Sequence, residues 1–408
     1  MDRHDPLARY RAEFQPLPAG LVYLDGNSLG CLPLRTATVL ADAVQRQWGQ
    51  RLVRSWNEGW LEASARIGDK IGQLIGAAEG QTLVSDSTSV NLYKMAQAAL
   101  DLRPGRGKIV SDAFNFPSDL YILEGIAARR GMRLERVPSP DGIHMPSGDL
   151  LRAIDAGTAL VSLSLVAFKS GFLYNAAEIT RRAHQAGALV LWDLSHAAGA
   201  LPLALDDWSV DLAVGCTYKY LNGGPGAPAF LYARRELQEQ LCSPIQGWFG
   251  RQSPFAFELE YAPAAGIQRF SSGTPPVLSL LAIEPGVEML LAAGMEALHA
   301  KSLRLSAYLL ELFDLHLAPL GYTLGSPRDP SKRGSHISLR HPEGYRINRA
   351  LIAEMDVIPD FREPDNIRLG LAPLYTSFQD VWEAVERLRT AAAEKRYLNY
   401  PPDRLAVT

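Results

Sequence analysis

The chain has 408 residues, 47% hydrophobic and 21% charged, and its 41 basic and 44 acidic side chains leave a net charge of −3 and a pI near 6.3. That balance argues against nucleic acid or an anionic membrane as partner and describes an ordinary globular protein long enough for two domains. Three scattered cysteines (Cys31, Cys216 and Cys242) exclude a disulfide framework, residues 1–6 lack the apolar core of a secretory signal, and no apolar run approaches the roughly 18 residues of a membrane span, so the cytoplasm is the expected location.

Short apolar or β-branched runs at 81–84, 108–110, 133–137, 159–163, 189–193, 211–215 and 229–232 read as strands. Helix patterns at 88–101, 118–130, 147–154 and 176–187 alternate with them. The alternation predicts an α/β fold whose mostly parallel, seven-stranded sheet is covered on both faces. The stretch 244–276 carries Pro, Gly and Ser without a clear period and reads as a long functional loop. Helices near 278–292 and 295–317 follow, then a strand at 336–340, a helix at 345–354, a strand at 366–371 and a last helix at 377–395. The predicted organisation is a large domain over 61–284 and a smaller α+β domain from 1–60 and 285–408.

Chemistry concentrates at strand ends, outside which open α/β sheets bind their ligands. Asp193 closes Leu189-Val190-Leu191-Trp192-Asp193, and Lys219 lies just past the run at 211–215. A strand-end lysine and a strand-end carboxylate suit pyridoxal 5′-phosphate. The amine bonds the aldehyde, and the carboxylate keeps the ring nitrogen protonated so that the ring accepts electrons. A solvated lysine and a strand-capping aspartate are the ordinary alternative. Asp86-Ser87-Thr88-Ser89-Val90-Asn91 offers a phosphate hydroxyls and helix-start amides, or is a plain N-cap. Phe116, in Asn115-Phe116-Pro117-Ser118-Asp119, can cover a flat ring or pack in the core. His196 either touches a cofactor or caps the next helix. Arg368 sits in an apolar strand and needs a carboxylate, from a substrate or from the protein itself. Gly223-Gly224-Pro225-Gly226 lacks the lysine of a P-loop and precedes a strand, so it reads as a turn. His336 and His341 would face opposite sides of a strand and are not read as metal ligands; no metal is expected.

Taken together, these segments resemble kynureninase, a fold-type-I pyridoxal phosphate hydrolase, along nearly the whole chain. The resemblance rests on Tyr23-Leu24-Asp25-Gly26-Asn27-Ser28-Leu29-Gly30, on residues 115–119, on Trp192-Asp193-Leu194-Ser195-His196, on Cys216-Thr217-Tyr218-Lys219-Tyr220-Leu221-Asn222-Gly223-Gly224, on Gly247-Trp248-Phe249-Gly250 and on Ala372-Pro373-Leu374-Tyr375. Cysteine desulfurases, a related group, usually place His before the lysine and carry a small-domain loop cysteine. Here Tyr218 precedes Lys219, and no cysteine follows Cys242.

The resemblance implies that Lys219 holds the cofactor covalently, Asp193 pairs with its ring nitrogen and Phe116 stacks on it. Thr88, Ser89 and Tyr218 would be phosphate ligands, with Trp248 and Thr274 reaching the phosphate from the partner of a homodimer. Ser164, Asp119 and His196 match further cofactor-pocket positions. Arg368 would clamp the substrate α-carboxylate, with Ser28 and Trp56 near the substrate. Lys219, Tyr218 and Asp193 would carry the chemistry, hydrolysis of L-kynurenine to anthranilate and L-alanine. Gly273-Thr274 replaces the Ser-Asn pair of the animal-type pattern, and Trp56 and Trp60 stand in a segment without histidine, which implies a preference for kynurenine over 3-hydroxykynurenine. A related lyase and a catalytically silent cofactor-binding protein are the alternatives.

Overall fold

The protein is described by a computed structural model covering residues 1–403. Its large sheet has seven strands: β1 (Thr82–Val84), β2 (Lys108–Asp112), β3 (Arg133–Val137), β4 (Thr158–Ser164), β5 (Leu189–Asp193), β6 (Leu212–Gly215) and β7 (Phe230–Ala233). Their order across the sheet is β1-β7-β6-β5-β4-β2-β3. All neighbours run parallel except β7, which is antiparallel to both β6 and β1. β4 and β5 are buried along their whole lengths, as continuous apolar runs in a two-faced sheet require, whereas edge strand β3 is partly open to solvent and fully buried only at Val137.

Helices α1 (Thr88–Asp101) and α2 (Pro117–Arg130) pack on one face, burying Leu92, Met95, Leu123 and Ile126 against Leu160, Leu191 and Val214. The opposite face meets the helices Ala63–Ile75 and Val277–Ala293 through Ile67, Ile71, Trp192, Leu280 and Ile283. Tyr10 and Phe14 join this core from the N-terminus, while Val22 and Leu24 belong to a separate one.

That second core lies under a four-stranded antiparallel sheet of β8 (Thr323–Leu324), β9 (His336–Arg340), β10 (Asp360–Arg362) and β11 (Asn366–Gly370), ordered β10-β11-β9-β8. The helices Met295–Leu312 and Phe378–Ala393 cover it; the second starts on a capping box between Ser377 and Asp380. Strands β8 and β10 and the short parallel ladder of Val22–Tyr23 with Val357–Ile358 are too brief for a hydrophobic period to reveal them. Among the described residues no single helix is long and apolar enough to cross a membrane.

Candidate active site

Asp193 is the last residue of β5, and Lys219 lies in the connection from β6 to β7, so neighbouring strands deliver both to one edge of the sheet. Gly30 braces that connection. Its N–H bonds the Tyr218 carbonyl at 2.8 Å, and a Cβ on it would stand 2.4 Å from the Lys219 carbonyl oxygen, an approach only glycine permits.

The Lys219 amine is 2.9 Å from Nε2 of His196 and 5.8 Å from the ring centre of Phe116. Burial, followed by the facing Lys219 charge, holds the His196 pKa well below its ordinary value, so the imidazole is neutral. Asp119, in the first turn of α2, meets Asp193 carboxyl to carboxyl. Burial first and the Asp193 charge second push the Asp119 pKa well above the usual carboxylate range. Ser164, at the end of β4, donates to Asn115 Oδ1 at 2.7 Å, and the Asn115 amide returns to Ser111 and the Ser162 carbonyl.

The beginnings of α1 and α2 converge beside this group, joined by Ser89 Oγ and Ser118 Oγ 3.0 Å apart. The N-cap hydroxyl is that of Ser87, which accepts from the Val90 N–H, so Thr88 and Ser89 stand in the first turn with their hydroxyls outside the cap. Asp86 enters the helix at a φ of +47° and is held by Lys94, Ser85 and Ser272. Tyr218 is half-buried, and burial raises its phenol pKa.

Trp56, Trp248 and Thr274 lie elsewhere in the protomer, around Phe249. Its ring is 5.7 Å from Trp56 and 4.4 Å from Trp248, and with Thr274 it lines a small cavity behind Asp86. Among the described residues no hydrogen bond or ring contact joins these three to Lys219.

Arg368 and Ser28 form the other end of the site. Arg368 is fully buried on β11. It donates to Asp360 through Nε and Nη2, to Ser28 through Nη2, and to the Phe168 carbonyl through Nη1. The sequence suggested a carboxylate partner, and in this structure the partner is Asp360. Asp360 holds the Nε side of the guanidinium and leaves donor capacity on its Nη1 end. Burial works against the Asp360 charge, but Arg368 outweighs it and keeps the pKa below the ordinary value. Phe168 ties the two ends together, since its ring meets Phe116 edge-on at 5.4 Å. His336 also bridges them, with its ring 5.4 Å from His196.

Phe168, Asp360 and Arg362 were not legible as site residues in the sequence. The first acts through its backbone, and the other two sit on the three-residue β10.

A profile of the kynureninase C-terminal domain matches residues 298–388. A kynureninase of Pseudomonas fluorescens is 43% identical over 95% of this chain and 93% of its own, and one of Burkholderia pseudomallei strain 1106a is equally similar over the same shares. The chain belongs to the kynureninase family. Its cofactor is accordingly pyridoxal 5′-phosphate. Among solved structures, a cysteine desulfurase of Thermococcus onnurineus NA1 superposes with a TM-score of 0.81 at 18% identity, covering 95% of this chain and 98% of its own. One from Escherichia coli gives 0.79 at 19%, over 96% and 98%. At such identities the likeness is one of fold.

The residues present fit the cofactor. Asp119 Oδ2 and His196 Nδ1 are buried without hydrogen-bond partners among the described residues. A protonated ring nitrogen presented to the paired carboxyls would supply the donor and the positive charge they lack.

Proposed function

We propose that this site hydrolyses L-kynurenine to anthranilate and L-alanine, with 3-hydroxy-L-kynurenine as a secondary substrate, in tryptophan breakdown. The observation that carries the reading is the meeting of Lys219, neutral His196 and the Asp193–Asp119 pair at one sheet edge, in a chain 43% identical to kynureninases. Pyridoxal phosphate, when bound, supplies an electron sink for bond breaking next to the substrate α-carbon.

Lys219 would hold it covalently, Asp193 would accept its ring N–H with Asp119 and Ser164 alongside, and Phe116 and His196 would flank the ring. Thr88, Ser89 and Tyr218 would take the phosphate, helped by the converging helix starts. Once substrate replaces it, the Lys219 amine can take the α-proton, a role typically worth about 10²–10⁴-fold. Neutral His196 can exchange a proton with that amine across their hydrogen bond, and we read Tyr218, the chain neighbour of Lys219, as a further proton relay. Water adds to the γ-carbonyl carbon as the Cβ–Cγ bond breaks. Its oxygen leaves in anthranilate, the proton it gives up passes through Tyr218 to complete the alanine methyl, and the proton held at Lys219 returns to the α-carbon. Arg368 would anchor the α-carboxylate, with Ser28 beside it and Trp56 near the aryl group.

The active unit we infer is a homodimer in which Trp248 and Thr274 of one copy reach the phosphate of the other. In support, Trp248 is grouped with Phe255 and Phe257, which are 50% and 71% exposed, an aromatic surface a free monomer would leave wet. We also read 61–284 as the cofactor-binding domain and 1–60 with 285–408 as the smaller one. Three unpaired cysteines suit the reducing cytoplasm.

The test is the fluorescence of anthranilate on adding L-kynurenine to the holoenzyme, with alanine counted in parallel. Equal amounts of both are expected. Sulfide release from cysteine without anthranilate would move the chain to the desulfurase group, and absence of any turnover would leave a silent cofactor-binding protein.

A further inference from the structure

Asp25, which the mechanism above does not use, lies beside the charged groups that hold Arg368. Its backbone is pinned from two sides. Leu24 bonds Ile358 on one side and Gly370 on the other, and the Asp25 carbonyl accepts from the Ser28 N–H at 2.9 Å. This places its carboxyl in hydrogen-bonding contact with Asp360, the carboxylate that holds Arg368. Oδ1 of Asp25 is buried and has no hydrogen-bond partner among the described residues. Two carboxyls in contact need a proton between them, and Asp360 is the one kept ionised, because Arg368 and Arg362 both bond it.

We propose that Asp25 is a proton-bearing positioning residue of the carboxylate clamp: as a neutral carboxyl it donates to Asp360 and leaves the Asp360–Arg362–Arg368 group with a net positive charge to offer the substrate α-carboxylate. Loss of that proton would add a second negative charge to two arginines and one aspartate, and the net attraction would vanish. The inference rests on reading Arg368 as the clamp.

The neighbours leave Asp25 as the group that titrates in the working range. Asp360 and Arg362 face it from β10, Arg368 from β11, and Tyr23 and Tyr220 from the N-terminal segment and the Lys219 connection. His336, on β9, faces the same aspartate and arginine. Burial followed by the Arg368 charge holds His336 down to about 3, burial raises both phenols, and Asp360 stays ionised. Burial first, then the Asp360 charge, pushes Asp25 up to about 7.

The test uses a probe that has the carboxylate but no amino group to titrate. 4-Phenyl-4-oxobutanoate is measured as a competitive inhibitor of the holoenzyme across pH, beside its uncharged carboxamide. For the wild type, Ki of the acid should rise up to about tenfold per pH unit above about 7, while Ki of the carboxamide stays level. Asp25→Asn, which keeps the shape and cannot ionise, should make Ki of the acid independent of pH over that range. A wild-type Ki that does not rise, an equal rise for acid and carboxamide, or an unchanged rise in Asp25→Asn would each overturn the proposal. The wild-type comparison of acid with carboxamide decides the matter even where the variant does not fold. Arg368→Lys separates the underlying reading: if it leaves Ki of the acid unchanged at low pH, the clamp assignment fails, whatever Asp25 does.

Discussion

The two ends of the site each bury a pair of carboxyl groups, and they resolve the resulting repulsion differently. At the proposed substrate end, Asp25 and Asp360 are met by Arg368 and Arg362, so the chain supplies its own cations. At the proposed cofactor end, Asp119 and Asp193 face each other near Lys219, whose amine is bonded to a histidine instead, and one Asp119 oxygen has no donor among the described residues. In the first region the chain matches the buried negative charge with its own arginines. The second, in our reading, is completed by the cofactor proposed to bind there. An incomplete electrostatic arrangement at the carboxyl ends of strands is therefore a better pointer to the cofactor than the completed ion pair is to the substrate.

The contrast is open to attack by substitution. The largest effect is expected at the self-sufficient end. Asp360→Ala leaves the fully buried Arg368 without its carboxylate and should cost about 3–5 kcal/mol of stability in chemical denaturation. Unchanged stability would show that Arg368 is not structurally paired.

Asp193→Asn should do the reverse. It relieves the carboxyl-to-carboxyl contact with Asp119, so the cofactor-free protein should be no less stable, while cofactor affinity falls by roughly 10–150-fold, the equivalent of a lost charge-assisted bond of about 1.5–3 kcal/mol. The same region gives a pH signature. Asp119 titrates above its ordinary 3.8 when folded, so its stabilising contribution is full below that pH and is lost as pH rises through the folded value. Denaturation of the cofactor-free protein across pH should show this decline, and bound cofactor should flatten it.

Arg368→Lys keeps a charge for Asp360 but loses the planar fork, so KM for kynurenine should rise at least about tenfold with cofactor absorbance unchanged. The smallest effect is expected in the aryl pocket. Burying an unpaired ring hydroxyl costs about 1–3 kcal/mol, so kcat/KM for L-kynurenine should exceed that for 3-hydroxy-L-kynurenine at least several-fold. Equal values would mean that a polar group or water meets the hydroxyl.

Most of the large sheet was legible because its strands are long apolar runs separated by amphipathic helices. Each of the seven predicted runs lies within a residue or two of an observed strand. Asp193 and Lys219 could be read for the same reason: they punctuate such runs. The carboxylate end was only half legible. Arg368 stood out as a guanidinium in an apolar strand, but its partner Asp360 lies on a strand too short to show a period, and Asp25 reaches it from the far end of the chain. Phe168 contributes a carbonyl, which no side-chain pattern records. The helix predicted to run to 317 keeps its regular winding only to Leu312, beyond which Phe313–Leu317 coils more widely.

The most direct measurement is borohydride reduction of the cofactor-loaded protein, followed by peptide mapping. The expected result is cofactor fixed to the peptide containing Lys219, and non-covalent binding with most turnover lost in Lys219→Ala. Label on any other lysine, or full activity without Lys219, would contradict the assignment of this strand-end cluster as the cofactor site.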